Sequence, residues 1–409
     1  MRGRFRKRGP WSAARRTAAG AIATAMLSGS LIGLAALAGS APAGAATEAP
    51  VVVGDICSCT GPEASTISQT SATMQAWASW VNSHGGLAGH QVQLIIKDDA
   101  YNPGNSLADA KTLVESDHAI ALFDNSDEDA SWASYVEQQK VPVLGGQETD
   151  AGYQNPDFYP PGATFNYTNP VGAIVAKKQG VKAEAALYCV EVAICAQSVA
   201  QGKQDLAKEG IKMVYESGIS FSAPNYTAQC IAAKQSKADA MVVGDASAIV
   251  AKVAQDCAAQ GYTPVELSSD GTVSLSWLSI PAMEGNIDTQ SDLPWFVHND
   301  ATKTMYEALD KYAPAVPKGP NFGEVVLQSW SDGAELQQAV ASGHLSATPT
   351  SAEIVDGLYA LPSGTTLGGL TPPIHFVKGK PANNSCFFLM GIKDKKFVEL
   401  NDGKLICAS

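Results

Sequence analysis

The chain has 409 residues, 45% hydrophobic and 17% charged, with a formal net charge of −12. That balance excludes a disordered chain, and the length exceeds what one compact core holds. Residues 1–46 hold seven of the 28 Lys and Arg and none of the 40 acids, so the rest sets 21 cations against 40 acids, a charge of −19. So acidic a chain does not seek nucleic acid or an anionic membrane surface by charge.

Arg2, Arg4, Arg6, Lys7, Arg8, Arg15 and Arg16 precede an apolar run from Ala18 to Ala38, and Ala43-Gly44-Ala45 follows with small residues at cleavage spacing. This is the pattern of a secretory signal peptide over 1–46, cut near Ala45. Glycine and serine interrupt the run, which speaks against a membrane anchor. The residues after Arg15-Arg16 match a twin-arginine signal poorly, and no cysteine precedes Cys57, so a lipid-anchored cysteine is missing. No later segment is apolar for long enough to span a membrane.

In chain order, Val51–Asp55 reads as a buried strand leading into the loop Ser58–Pro62. Ile67, Met74, Trp77 and Val81 then share one helical face. Asn82 to Gly86 supply the stop, because glycine accepts the left-handed backbone of a helix C-cap. Gln91–Lys97 reads as a strand covered on both faces, with Asp98, Asp99 and Tyr101 at its carboxyl end. Asn102-Pro103 opens a helix carrying Leu107, Ala110, Leu113 and Val114 on one side. Strand Ala119–Phe123 ends in Asp124-Asn125-Ser126, a helix carries Trp132 and Val136, and strand Val141–Leu144 ends in Gly145-Gly146-Gln147-Glu148-Thr149. Strands alternating with helices imply parallel βαβ units.

Thr164–Thr168 reads as a crossover to a second lobe with strands near Ala185–Tyr188, Ile211–Tyr215, Ala240–Val243 and Val265–Ser268. Gly285–Pro294 reads as the return, and helices near Thr302–Tyr312, Gly323–Ala341 and Ala352–Leu358 rejoin the first lobe. A Pro/Gly-rich piece, Leu361–Pro373, precedes short terminal strands. Eight cysteines, an even number in an exported chain, point to disulfides. Cys230 and Cys257 flank the strand Ala240–Val243, Cys386 and Cys407 bracket the terminal strands, and Cys189 and Cys195 enclose a loop. Cys57 and Cys59 stay open: a bridge across one residue is strained, and a zinc site lacks a second Cys/His pair.

In open parallel sheets, ligands sit outside the carboxyl ends of the strands. Those ends are the loops Ser58–Pro62, Asp98–Tyr101, Asp124–Ser126, Gly145–Thr149, Cys189–Glu191, Gly244–Ser247 and Ser268–Gly271. Free N–H groups at the helix starts that follow favour an anion such as a carboxylate; each loop taken singly is equally an ordinary cap or turn.

Asn82-Ser-His-Gly-Gly-Leu-Ala-Gly, then QVQLIIKDDAYNP, then LADAKTLVES, is similar to the signature of extracellular solute-binding proteins of ABC importers, of the branched-chain amino acid (leucine/isoleucine/valine-binding) type. The likeness covers most of residues 50–300. It implies the α/β fold of a periplasmic binding protein of type I: two doubly wound parallel-sheet lobes joined by a three-segment hinge. On that plan residues 47–166 plus about 290–380 form the first lobe, and 167–289 plus about 381–409 the second. It also implies an amino-acid-like small-molecule ligand held between the lobes, permease subunits as partners, a monomer and no cofactor. Residue by residue, Ser126 matches a carboxylate-binding serine, Gln147 and Thr149 match a pair binding the α-carboxyl and α-amino groups, and Asp270 before Gly271 matches the acid that meets the ammonium. Asn125 and Thr66 complete the candidate set.

The chain departs from the family where a ring falls on Thr66 and an aromatic pair on Ala246 and Ser247. Branched-chain specificity is therefore not expected to carry over, and Asp124 and Glu148 add negative charge that a polar, cationic or bulkier ligand would use. Trp132, Tyr153, Tyr167 and Phe322 are replacement walls or simply core. An enzyme is the first rival, but GxSxG, HExxH and Walker A motifs are all missing. His84, His90, His118, His298, His344 and His375 are scattered, none beside an evident nucleophile. A ligand sensor presenting the closed form to a membrane receptor is the second rival and would use the same cleft. N-terminal sequencing of secreted protein should find a start at or near Ala46, and an intact Met1 in the medium would contradict the leader.

Overall fold

In the computed structural model, which describes residues 48–146, 149–268 and 271–408, the strands fall into two sheets. The leader lies outside the described residues. The first sheet holds β1 (Val51–Cys57), β2 (Val92–Asp98), β3 (Ala121–Asn125), β4 (Val143–Gly145) and β5 (Phe158–Tyr159), in the order β2-β1-β3-β4-β5 and parallel throughout. Helices cover both faces, which is why β1 reads VVVGDIC and not as an apolar/polar alternation. β5 is only two residues long and stands before Pro160-Pro161, too little pattern to read from sequence.

The second sheet runs in parallel through β7 (Lys212–Ile219), β6 (Ala183–Cys189), β8 (Ala240–Gly244), β9 (Val265–Ser268) and β10 (Ile287–Gln290). It continues antiparallel through β11 (Cys386–Lys393) and β12 (Lys396–Glu399), with β13 (Ile406–Cys407) also on β11. The return segment expected over Gly285–Pro294 thus contains the strand β10. Three crossings join the sheets and are tied side by side. Ala163 N–H donates to Ser291 O at 3.2 Å, and Thr164 N–H donates to Asn384 O at 2.9 Å. This is the three-segment hinge of a type I periplasmic-binding-protein fold.

Trp77, fully buried, meets Phe123 of β3 edge to face at 5.3 Å and donates its indole N–H to Gln337 at 3.0 Å. Helix Glu324–Ser342 approaches that ring through Gly333, where a Cβ would stand 2.5 Å from the indole nitrogen. The single helix expected through Ile67 and Val81 is two, Ala64–Ile67 and Thr70–Ser83. Asn321 Nδ2 binds at the junction: it donates to Ser68 Oγ at 3.0 Å and to Ala64 O at 3.1 Å, a carbonyl that also accepts from Ser68 N–H at 3.3 Å.

Cys230–Cys257, Cys386–Cys407 and Cys189–Cys195 are bonded as expected, and Cys57 pairs with Cys59. Cys230 and Cys257 are buried between helices Thr227–Gln235 and Ser247–Ala259. Replacing both with alanine should lower stability by about 3 kcal/mol, read as a denaturation midpoint, through the freedom the open loop returns to the unfolded chain. Non-reducing peptide mapping that finds either thiol free in the parent would refute the pairing.

Candidate functional site

The carboxyl ends of β1, β2 and β3 meet at one buried acid. Asp99, with no exposed surface, accepts from Ser58 Oγ at 2.9 Å, from Ser126 Oγ at 2.5 Å and from Tyr101 N–H at 2.8 Å. Ser126 Oγ in turn accepts from Glu128 N–H at 3.0 Å. Asn125 donates from Nδ2 to Asp55 at 2.9 Å and accepts at Oδ1 from Ser329 Oγ at 2.6 Å. Thr149 Oγ1 donates to Asp129. Ser126 and Thr149, read from sequence as donors to a ligand carboxylate, thus give their hydrogens to carboxylates of the protein itself. Buried acids take the nearest donors because an ionised group without a partner is costly.

Gly145 and Gly146 make the turn after β4, with φ +113° and +78°. A Cβ on Gly145 would stand 2.9 Å from Asp124 O, and one on Gly146 would stand 3.2 Å from Asp124 Oδ2. Glycine is required there both for the left-handed backbone and for the close approach. Gln147, Glu148 and Asp270 lie outside the described residues. Gly271, next to Asp270, donates its N–H to Glu324 at 2.8 Å.

A recess formed by Asp124, Asn125, Ser126, Asp127, Gly146 and Thr149 faces Gln328 and Asp332 of helix Glu324–Ser342. It shares Asp127 and Thr149 with a larger cavity of about 260 Å³ between the two sheets. Glu63, Thr66, Tyr101, Asp127, Asp129 and Thr149 form the first-sheet side of that cavity. Leu187, Val192, Ile194, Val199, Met213 and Val242 give it an apolar wall on the second-sheet side. Of the six candidate ligand residues, Asn125, Ser126 and Thr149 line the recess, and Thr66 and Thr149 line the cavity.

Burial dominates the electrostatics. It pushes Asp127 up to about 7, helped by Asp129, and Asp129 up to about 6 against the hydrogen bond from Thr149. Asp124 lies well above the usual carboxylate range through burial and then the charge of Asp129. Across the cavity, burial raises Asp245 to about 6. Glu63 is raised by burial, then by Asp127 and Asp245.

Thr66 has a second use. Its hydroxyl accepts from Ser247 N–H at 3.0 Å, while Ser65 Oγ accepts from Ala248 N–H at 3.2 Å. The short helix Ala64–Ile67 after β1 thereby caps the first turn of helix Ser247–Ala259, which follows β8. The small residues Ala246 and Ser247 leave room for that contact where rings were expected from the resemblance.

Trp132 is fully buried and stacks on Phe158, and Phe322 belongs to the core. Tyr153 and Tyr167 do not line the cavity; Tyr101, Phe165 and Tyr188 do. Sequence reading singled out none of these three rings, nor Glu63 and Asp245, although Tyr101 and Asp245 fall in strand-end loops it named. Tyr101 carried a signal, since it follows the acid pair at the end of β2. Its backbone takes φ +60° after Ala100 at +54°, held by Asp99 and by Asp98, whose Oδ1 accepts from Ala100 N–H at 3.0 Å.

A family model described as periplasmic binding protein matches residues 50–396. The chain belongs to that family. No curated protein matches the binding protein. Solved structures share its fold at low identity. A fatty acid ABC transporter substrate-binding protein from Thermomonospora curvata is 18% identical with a TM-score of 0.76, over 89% of this chain and 94% of that one. A branched chain amino acid ABC transporter from Thermus thermophilus with bound valine is 14% identical with a TM-score of 0.78, over 89% and 97%. A Rhodopseudomonas palustris solute binding protein in complex with benzoate is 15% identical with a TM-score of 0.71, over 88% and 98%.

Asp55 gives the binding protein an unusual pH response. It is fully buried, and burial raises it to about 7 despite the hydrogen bond from Asn125. A raised acid binds its proton more tightly folded than unfolded, so its stabilising contribution is complete below the unfolded value and is lost as pH rises through the folded one. The melting temperature should therefore climb from pH 8 to pH 5, the Asp55 share over that range being at most about 3 kcal/mol. Asp55→Asn should flatten that climb and melt above the parent at pH 8; an unchanged slope would contradict the assignment.

Proposed function

We propose that this chain is the extracytoplasmic substrate-binding component of an ABC importer. It captures a small solute between its two sheets and delivers it to permease subunits. The observation that carries this reading is the cavity of about 260 Å³ walled from both sheets, beside a hinge of three hydrogen-bonded crossings. A ligand that touches both walls favours the closed arrangement by the difference in its contacts with the two states. Export by the leader over 1–46, release near Ala45 and a monomeric mature form belong to the same reading, as does an absence of catalysis.

The resemblance favours an amino-acid-like solute, its carboxylate near Ser126, Gln147 and Thr149 and its ammonium at Asp270, with Asn125 and Thr66 nearby. The hydrogen bonds of Ser126 to Asp99 and of Thr149 to Asp129 speak instead for recognition through positive charge.

Mass spectrometry of denatured protein should reveal a solute carried through purification. Adding that solute back to stripped protein should reduce the radius of gyration in small-angle scattering. Conversion of the solute into a product, or no compaction at saturating solute, would count against the reading.

A further inference from the structure

The wall of the cavity carries Glu63, Asp127, Asp129 and Asp150 from the first-sheet side and Glu184 and Asp245 from the second. Among the described residues that line the cavity or the recess there is no Lys, Arg or His. Every arginine of the chain lies between Arg2 and Arg16, so none is left to clamp a carboxylate. Lysines pair with acids on the surface, as Lys177 does with Glu209 at 2.7 Å and Lys203 with Glu216 at 3.2 Å. Acids gathered in a cleft without such partners are costly unless something else supplies the charge.

A second observation comes from the opposite wall. Asp245 lines the cavity; its Oδ1 accepts from Ala246 N–H at 2.8 Å, while its buried Oδ2 has no hydrogen-bond partner among the described residues. A buried carboxylate oxygen at a cavity wall without a donor is a place for a donor from a ligand. The apolar wall of Leu187, Ile194, Val199 and Met213 provides a third constraint, since it suits a hydrocarbon body and not a second charge. Beside the acids stands Tyr101, whose ring face attracts a cation as well.

We propose that the solute is an organic cation, an amine or quaternary ammonium on an apolar body, with its charge among Glu63, Asp127 and Asp245 beside Tyr101 and its body against the wall of β6–β8. This rests on reading the chain as a solute-binding protein and names its substrate class. Glu63 and Asp127 stand on one side of the cavity and Asp245 on the other, so closing the cleft without a cation brings like charges together. A cation between them turns that repulsion into attraction, which makes charge a condition of closure. A carboxylate would meet the same acids with the hydroxyl donors of Ser126 and Thr149 already engaged. Protons compete with the cation. Asp127 is faced by Asp99, Glu128 and Asp129 on its own side, and Glu63 by Asp127, Asp245 and Glu191, so affinity falls as pH drops below about 7.

Isothermal calorimetry on stripped protein at pH 8 tests this, with benzyltrimethylammonium and phenethylamine as probes and phenylacetate, isoleucine and benzyl alcohol as controls. The two cations should bind about a hundredfold more tightly than any control, and lose about tenfold in affinity from pH 8 to pH 5.5. Asp127→Asn and Asp245→Asn, near-isosteric changes whose folding is checked by thermal melting, should each weaken cation binding about tenfold. Tighter binding of isoleucine or phenylacetate overturns the proposal, as does cation affinity indifferent to both substitutions, or no cation binding at about 5 mM. Compaction by whatever solute co-purifies would leave the solute-binding reading standing in those cases. Its own failure is read separately, as turnover or no compaction with that solute.

Discussion

Negative charge removed from water, with no cation beside it, sets the terms of this structure. Asp99 shows how the fold meets that constraint where it can. Three donors from three adjacent segments, Ser58, Ser126 and the Tyr101 N–H, converge on its two oxygens and tie the ends of β1, β2 and β3 together. Further out the donors run short. Asp55 has one amide, Asp124 has one backbone N–H, and Asp129, held by Thr149 and the Ala130 N–H, has Asp124, another acid, as its remaining side-chain partner. The rise of these acids above the usual range follows from that shortage, because burial penalises the ionised form and neighbouring acids add to it.

The same economy of donors explains how the two sheets face each other. Helix Ser247–Ala259 starts with N–H groups that its own ladder leaves free, and the short helix Ala64–Ile67 supplies Ser65 and Thr66 hydroxyl oxygens to two of them. Such a contact needs small side chains on both sides, which Thr66, Ala246 and Ser247 provide. Where a ring would fill the space and touch a ligand, this chain has a backbone contact, and the aromatic surface of the cavity comes instead from Tyr101, Phe165 and Tyr188. Fold and site are thus separable: the parallel sheets fix where a cavity opens, and the side chains at the strand ends fix what it accepts.

Much of the framework was legible because it repeats. Apolar runs bounded by Gly, Pro and Asn signalled the parallel strands, and Asn102-Pro103 signalled a helix start whose Asn102 side chain accepts from Gly104 and Asn105 N–H. Three disulfides followed from cysteines on neighbouring elements. β5 was not legible, since two residues carry no period, nor was the break after Ile67, where the contact comes from Asn321, more than 250 positions away.

The sequence by itself determined most of the alternation of strands and helices, the cysteine pairs on adjacent elements and the strand-end loops at the first sheet's edge. These rest on local backbone preference and on hydrophobic period, which neighbouring residues carry. Only the tertiary structure decided the roles of single residues. Ser126 and Thr149 became donors to Asp99 and Asp129, Thr66 became a cap for a distant helix, and Tyr101 and Asp245 became cavity wall. Hydrogen bonds and charge depend on distances across the sheets and on exclusion of water, and neither quantity is written in the spacing of residues along one chain.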